Sequence, residues 1–516
     1  MYRVFTLLII LAVFISFFNL GSFTLFDVDE AVFSTATKEM IEGGDWITPT
    51  YNGENRYDKP ILFYWLMAAS FKIFGANEFG ARFPSALTAV GLIIAVFFFM
   101  RHVRDDTYAF YTAIASLLSM YFLAYSHAAV TDMTLTLFIS LSLFSFYLWI
   151  DGERLSRKKN NICLYGFYLF SALAFLTKGL IGILFPFGIA VVYVIINYGL
   201  HGIKKVFNLR GLLLFMLISL PWLIAQLAVN GQEFFDQFFM KHHFQRYTGV
   251  ISGHKGPFYY YIPALIIGLF PWVAFFPAGI RATWKEKDKF QIFALIWFSF
   301  IFVFFSFSTT KLPNYILPAL PATAILIASG MTVQDRKWTY VSNILLVAIS
   351  LILGIAFFVA RSYALDFGIV DVNWLLPLSI VTIGIAILSM YTIVTKKQSY
   401  IIISGLMILF LSILVMKAVP IANHLLQGSL HKYSLYANEN RDADSRLIVY
   451  DLNNPSILFY SDRKAIIARN QDELTASLNN SLPALVITKT KNTEQVKQMG
   501  FTLLEHDKQY ALLERK

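Results

Sequence analysis

Two short runs frame the chemistry-bearing side chains of the first part of this chain. Asp29-Glu30 opens, and Asp58-Lys59-Pro60 closes, a polar stretch from Asp27 to Trp65, DVDEAVFSTATKEMIEGGDWITPTYNGENRYDKPILFYW. A carboxylate pair such as Asp29-Glu30 serves as a general base or as acidic residues at a helix N-terminus. A lysine such as Lys59, at the end of an apolar run, holds an anion or reaches the lipid headgroups. In AVTDMTLTLF, Asp132 puts a carboxylate at the mouth of another apolar run, where helix N-capping is the competing explanation. MKHHFQRYTG carries His243 and Arg246 three apart, on one face if that stretch is helical. Imidazole beside guanidinium suits a phosphate or a phosphate-bound metal, and a basic loop against headgroups accounts for the pair equally. The His242-His243 doublet has no second fixed ligand, so it is not a metal motif alone. Lys178 lies in LTKG, and Lys311 with Tyr315 lies among Pro313, Pro318 and Pro321, a Pro-broken pattern that marks a cavity wall at membrane depth.

The elements that must position these residues are apolar. The chain is 57% hydrophobic and 14% charged, with mean hydropathy +0.60, where soluble proteins carry about 25% charged residues. Runs of about 17–22 apolar residues are long enough to cross a hydrocarbon core of about 30 Å. Spans are expected near 4–20, 81–100, 108–126, 133–150, 162–177, 180–198, 211–229, 258–280, 290–307, 314–331, 339–360, 374–395 and 400–419. The fold class is therefore an all-α polytopic membrane protein with about thirteen transmembrane helices. The run after MYR is read as a retained first span, because no small-residue cleavage site precedes the acidic loop. Cys163, the single cysteine, excludes an intrachain disulfide and is expected as a small core residue.

The net charge of +10 does not point to nucleic acid, because the basic residues sit in short loops between alternate spans. Arg101 and Arg104, Arg154 to Lys159, Lys204 to Arg210, Arg281 to Lys289, Arg336-Lys337 and Lys396-Lys397 all fall on one side. The positive-inside rule then puts the N-terminus in the cytoplasm and the C-terminus outside. Loops 21–80 and 230–257 fall on the outer side with nearly every polar candidate, which makes cytoplasmic ATP and nucleotide sugars poor substrates. Composition changes after Pro420. Residues 1–420 are expected as the membrane domain and 421–516 as a small α/β domain outside it, with strand-like LIVYD and ALVITK and helix-like 471–478 and 493–499.

With these residues in place, the Asp27–Trp65 loop resembles the first outer loop of the aminoarabinose transferases of lipid A. These belong to the polyprenyl-phosphate-sugar-dependent glycosyltransferases, a superfamily that includes the protein O-mannosyltransferases. Asp29-Glu30, Gly44-Asp45-Trp46, Asn52-Gly53 and Asp58-Lys59-Pro60 stand in the family's order, followed by VTDM, LTKG, HFQRY and TKLPNYILPALP. Two departures stand out. Asp58 replaces the usual Glu before Lys-Pro and shortens its reach, and Val32-Phe33 replaces Arg-Tyr, pointing to a different sugar or acceptor.

The resemblance implies a GT-C fold in the bacterial inner membrane, with the C-terminal domain periplasmic. It implies an undecaprenyl-phosphate-linked sugar donor, aminoarabinose or a relative, and lipid A as acceptor, hence polymyxin resistance if the sugar is cationic. Lys59 and Arg246 would hold the donor phosphate, with Lys178, Lys311 and Tyr315 supporting it. Asp29, with Glu30 and Asp132, would be the catalytic carboxylates. Asp58 and His243 would match a divalent metal site, zinc or magnesium. A protein O-glycosyltransferase of the same superfamily is the alternative enzyme. A lipid-linked sugar transporter is the alternative outside enzymes, disfavoured by span centres almost free of charge.

Overall fold

The structure, a computed structural model, describes residues 2–151, 156–245, 256–333, 335–366, 372–440, 445–478 and 483–515. Ten helices among these are long and apolar enough to cross a membrane, and two bent pairs bring the number to twelve. The remaining expected span corresponds to Arg3–Phe17, a shorter apolar helix.

Two expected straight spans are broken. Asp106–Leu117 and Met120–Ser126 meet at 61°, where Ser119 caps the second piece by accepting from the Phe122 amide at 3.1 Å. Tyr261–Gly268 and Trp272–Glu286 meet at 112°, around Pro271, which has no amide hydrogen to continue the ladder. The helix of the last expected span runs on past Pro420. The helix Tyr400–Ile413 passes through a π turn, Leu414–Ala418, and continues as Val419–Glu439, with Pro420 in the first turn where its missing N–H is harmless. Cys163 is half-buried rather than enclosed in the core.

The chain packs as two compact units. The first comprises Met1–Asn19, Tyr57–Phe63 and Phe83–Lys417; the second comprises Leu20–Arg56, Tyr64–Arg82 and Ala418–Lys516. The first is a helical bundle whose core is dense in aromatics, with Trp272, Trp297, Phe146, Phe167 and Tyr193 enclosed.

In the second unit, the helix Asp29–Gly43 ends at Gly44, whose φ of 71° is the left-handed C-cap that glycine adopts without strain. A hairpin follows, β1 (Thr50–Tyr51) and β2 (Glu54–Asn55), turned by Asn52-Gly53 with φ of 56° and 79°, as a tight hairpin turn requires. The C-terminal part is a five-stranded mixed sheet: β3 Arg446–Tyr450, β4 Ile466–Ala468, β5 Ala484–Lys489, β6 Thr502–His506 and β7 Tyr510–Arg515, in the order β4-β3-β5-β7-β6. β3 runs parallel to β4 and β5, and β7 antiparallel to β5 and β6.

Strand side chains alternate between two cores, as the period of two demands. Leu447, Val449, Leu485 and Ile487 face Leu430 and Tyr433 of Val419–Glu439, while Ile448, Tyr450 and Val486 face Leu474 and Val496. The strands and helices expected near 447–451, 484–489, 471–478 and 493–499 are all present.

Candidate active site

Within the helical bundle, Asp58 and Lys59 sit on a short segment fixed from both sides in sequence. Before them, the buried Tyr57 donates its hydroxyl to Asn230 at 3.1 Å and Glu233 at 3.4 Å and packs edge-on to Phe234. After them, Pro60, Ile61 and Phe63 are buried. The Lys59 ammonium lies 3.1 Å from the Asp58 carbonyl and 3.4 Å from its Oδ2, both side chains mostly shielded from solvent.

A second cluster in the bundle joins three of the sequence candidates. Asp132 begins the helix Asp132–Asp151, and its buried carboxylate accepts from the Lys178 ammonium at 2.6 Å. The same ammonium stands 5.8 Å from the Tyr315 ring centre, a cation–π contact. N-capping therefore does not exhaust the role of Asp132. Lys311 is placed differently. Its three N–H groups go to the carbonyls of Phe305, Ser306 and Ser308, at 3.1, 2.8 and 2.6 Å, and its burial lowers its affinity for a proton. In this arrangement Lys311 ties the Ser308–Leu312 turn to the end of the preceding helix.

In the second unit the structure separates the two members of the Asp29-Glu30 pair. Neither is a cap, since Val28 occupies the cap position without a side-chain bond, and both lie in the first helical turn. Glu30 is buried and held bidentately by Arg82, at 2.9 Å to each oxygen, and also accepts from the Phe26 amide at 2.8 Å. Arg82 is fully enclosed. Its other donors reach the carbonyls of Leu20, Phe23 and Thr24, and its guanidinium stacks 3.9 Å from the Phe23 ring centre. Asp29, the adjacent residue, is exposed and makes no hydrogen bond or ion pair among the described residues. Of the two carboxylates, only Asp29 is available to a substrate.

The remaining loop motifs are structural. The Glu39 carboxylate gathers the hairpin, accepting from Asn52 N at 2.7 Å, Thr50 Oγ1 at 2.8 Å and Gly53 N at 3.0 Å. Asp45 accepts from the amides of Ile47 and Thr48, and Trp46 lies under the Lys72 ammonium at 4.6 Å. Asp27 accepts from Asn454 and from the amide and hydroxyl of Ser456, at 2.8–2.9 Å, yet burial pushes its carboxyl above the ordinary value. Sequence reasoning missed Arg82, Glu39 and Asp27 as the residues that organise the second unit here, and Tyr57 as the anchor of Asp58-Lys59 in the bundle. Arg82 alone left a signal, a lone arginine at the head of an apolar helix.

Arg246 lies outside the described residues. His243 lies in the helical stretch Asp236–Gln245, but its side chain is also outside them. Among the described residues no three His, Cys, Asp or Glu side chains gather as a metal cluster.

Ion-paired polar side chains thus stand within a bundle of membrane-length helices. Residues 58–224, which begin at the Asp58-Lys59 segment, match the family described as dolichyl-phosphate-mannose-protein mannosyltransferase. An uncharacterised protein of Aquifex aeolicus is 33% identical over 328 residues, 63% of this chain and 73% of that one. The undecaprenyl phosphate-α-4-amino-4-deoxy-L-arabinose arabinosyl transferase 2 of Pseudomonas fluorescens is 30% identical over 354 residues. That match covers 67% of this chain and spans 59% of the length of the transferase. The crystal structure of ArnT from Cupriavidus metallidurans bound to undecaprenyl phosphate has the same fold, with a TM-score of 0.80 over 99% of this chain and 97% of that one, at 22% identity. The chain belongs to the polyprenyl-phosphate-sugar-dependent membrane glycosyltransferases of the GT-C type. It is a multi-pass inner-membrane protein.

Proposed function

We propose that the protein transfers a sugar, aminoarabinose or a relative, from undecaprenyl phosphate to an envelope acceptor, with lipid A as the first candidate. The observation that carries this reading is the split of the Asp29-Glu30 pair: one carboxylate locked by Arg82, its neighbour exposed at the start of a capped, hairpin-anchored helix. The arabinosyl transferase relative supports the choice of sugar and donor. The basic loops support a cytoplasmic N-terminus and a periplasmic site and C-terminal domain.

The donor's leaving group is a lipid phosphate, already anionic, so the reaction needs charge stabilisation more than an acid. Lys59, pinned through Tyr57, supplies a point charge, and Arg246 a fork for two phosphate oxygens. The Asp132–Lys178 pair with Tyr315 supports that charge from the bundle. Asp29 takes the proton of a hydroxyl acceptor as general base. Toward an ionised phosphate of lipid A it serves orientation instead.

A divalent metal belongs to the proposal only through Asp58 and His243. One carboxylate and one imidazole suit zinc better than magnesium. Such an ion would add positive charge beside the phosphate. No step depends on it.

The family description favours a second reading, a protein acceptor for the same chemistry. Mass spectrometry of lipid A from the source strain, with and without the gene, separates the two. Loss of a sugar-sized substituent, restored by wild type but not by Lys59→Ala, is the expected result. An unchanged lipid A spectrum under expression would refute lipid A as acceptor, and sugar missing from periplasmic protein would replace it.

A further inference from the structure

The C-terminal sheet carries a crevice lined by none of the residues assigned above to the transfer chemistry. β3 is flanked by β4 on one side and β5 on the other, so the chain direction of the sheet diverges at its carboxyl end. Open α/β sheets bind ligands at such switch points. Here the opening is a cavity of about 790 Å³, closed on one side by the β1–β2 hairpin.

The residues that follow the three parallel strands all line it. Asp451 follows β3, Arg469 follows β4 and Lys489 ends β5, with Tyr51, Glu54 and Asn453 facing them across the cavity wall. Asp451 is set by its backbone, at φ 51°, a conformation that Asp tolerates better than most residues. Its carboxylate is held by Lys489 at 3.1 Å and by Lys491 and Asn492 at 3.2 Å. By contrast, the side chains of Glu54, Asn453 and Arg469 are exposed, and like the Tyr51 hydroxyl they make no hydrogen bond or ion pair among the described residues.

A carboxylate, an amide and a guanidinium each present two polar atoms spaced for neighbouring oxygens. Tyr51 adds an aromatic ring with a polar tip, as suits a ligand with both C–H faces and hydroxyls. Both charge signs line the wall, so neither a lone anion nor a lone cation is favoured, and the volume suits a ligand of one to three sugar rings. We propose that this crevice is a saccharide-binding site, independent of the transfer reading.

The test is saturation-transfer NMR on the purified full-length protein in detergent. The probes are glucose, arabinose, glucosamine, galacturonic acid and the β-linked glucosamine disaccharide. At least one probe is expected to receive saturation from wild type and from Lys59→Ala. Affinity is expected to fall about tenfold or more in the Asn453→Ala/Arg469→Ala double variant, as the loss of one neutral and one charge-assisted hydrogen bond implies. Those two side chains hold nothing else in place, so an unchanged melting temperature is expected and is measured alongside. Absence of transfer to every probe overturns the proposal. So does binding that survives the double variant, or binding that disappears in Lys59→Ala.

Discussion

Removing Arg82 tests the reasoning about the acidic pair most directly. The guanidinium is wholly enclosed, and its partner Glu30 is 5% exposed. Arg82→Met would leave a buried carboxylate without its bidentate partner, while the Phe26 amide still donates to it. It would also strip a donor from the carbonyls of Leu20, Phe23 and Thr24. Breaking a buried ion pair from one side costs about 3–5 kcal/mol. At about 1.4 kcal/mol per factor of ten, local opening should become about a hundredfold to several thousandfold more frequent. Amide hydrogen exchange of the full-length protein in detergent reads this directly, over peptides covering 20–43. Arg82→Lys should recover little, since one ammonium cannot serve five acceptor contacts in a plane. Glu30→Leu combined with Arg82→Met should restore much of the protection, because a matched apolar pair leaves no stranded charge. Unchanged exchange in Arg82→Met, or a double variant worse than the single, would refute the assignment of Glu30 as a strut rather than a reactive carboxylate.

Three further outcomes follow from the site. Asp29→Asn should lower turnover by about a hundredfold or more if the acceptor is a hydroxyl, and in vitro transfer assays that stay within a few-fold of wild type would remove the base role. A double-mutant cycle on Asp132→Asn and Lys178→Met should show coupling of about 1–3 kcal/mol in the transition-state term, read from kcat/KM of the four proteins; additive losses would dissociate the pair. The Asp451 carboxyl is held down at about 2, first by Asn492 and then by Lys489. A depressed acid contributes stability above its unfolded value of about 3.9. That contribution should fade as pH falls from about 4 to about 2, and Asp451→Asn should flatten the acid limb of unfolding there.

What was legible in the chain and what was not divides along sequence separation. The Asn52-Gly53 turn, the Gly44 break and the strand-like apolar runs around 447–451 and 484–489 obey local rules, and all of them were readable. The spans followed from length and hydropathy, apart from the bends at 118–119 and 269–271. Which of two adjacent carboxylates is buried was not readable, because the decision is made by Arg82, 52 residues further on. Pro420 lies close to the change of unit between Lys417 and Ala418, but it does not end the helical run there. A proline ends a helix interior but is welcome in a first turn, and the π turn before it makes Val419–Glu439 start afresh. The prolines around Lys311 point to a cavity wall, and its support of the donor phosphate is implied only by the family resemblance. Its carbonyl cage depends on how the chain folds back over residues 305–308, which spacing does not reveal.

The Asn52 amide pairs twice with Ala465, donating to its carbonyl at 2.8 Å and accepting from its amide at 3.0 Å. Ala465 leads into β4, the edge strand of the sheet, so one side chain imitates a neighbouring strand where an open edge would invite another chain. The piece of this protein that is portable between relatives is therefore not the tail after residue 417. A chimera that exchanges the tail while keeping the resident hairpin would bare that edge and should aggregate. Exchange of Leu20–Arg56, Tyr64–Arg82 and Ala418–Lys516 together keeps the seam intact, and the three segments should be inherited as one.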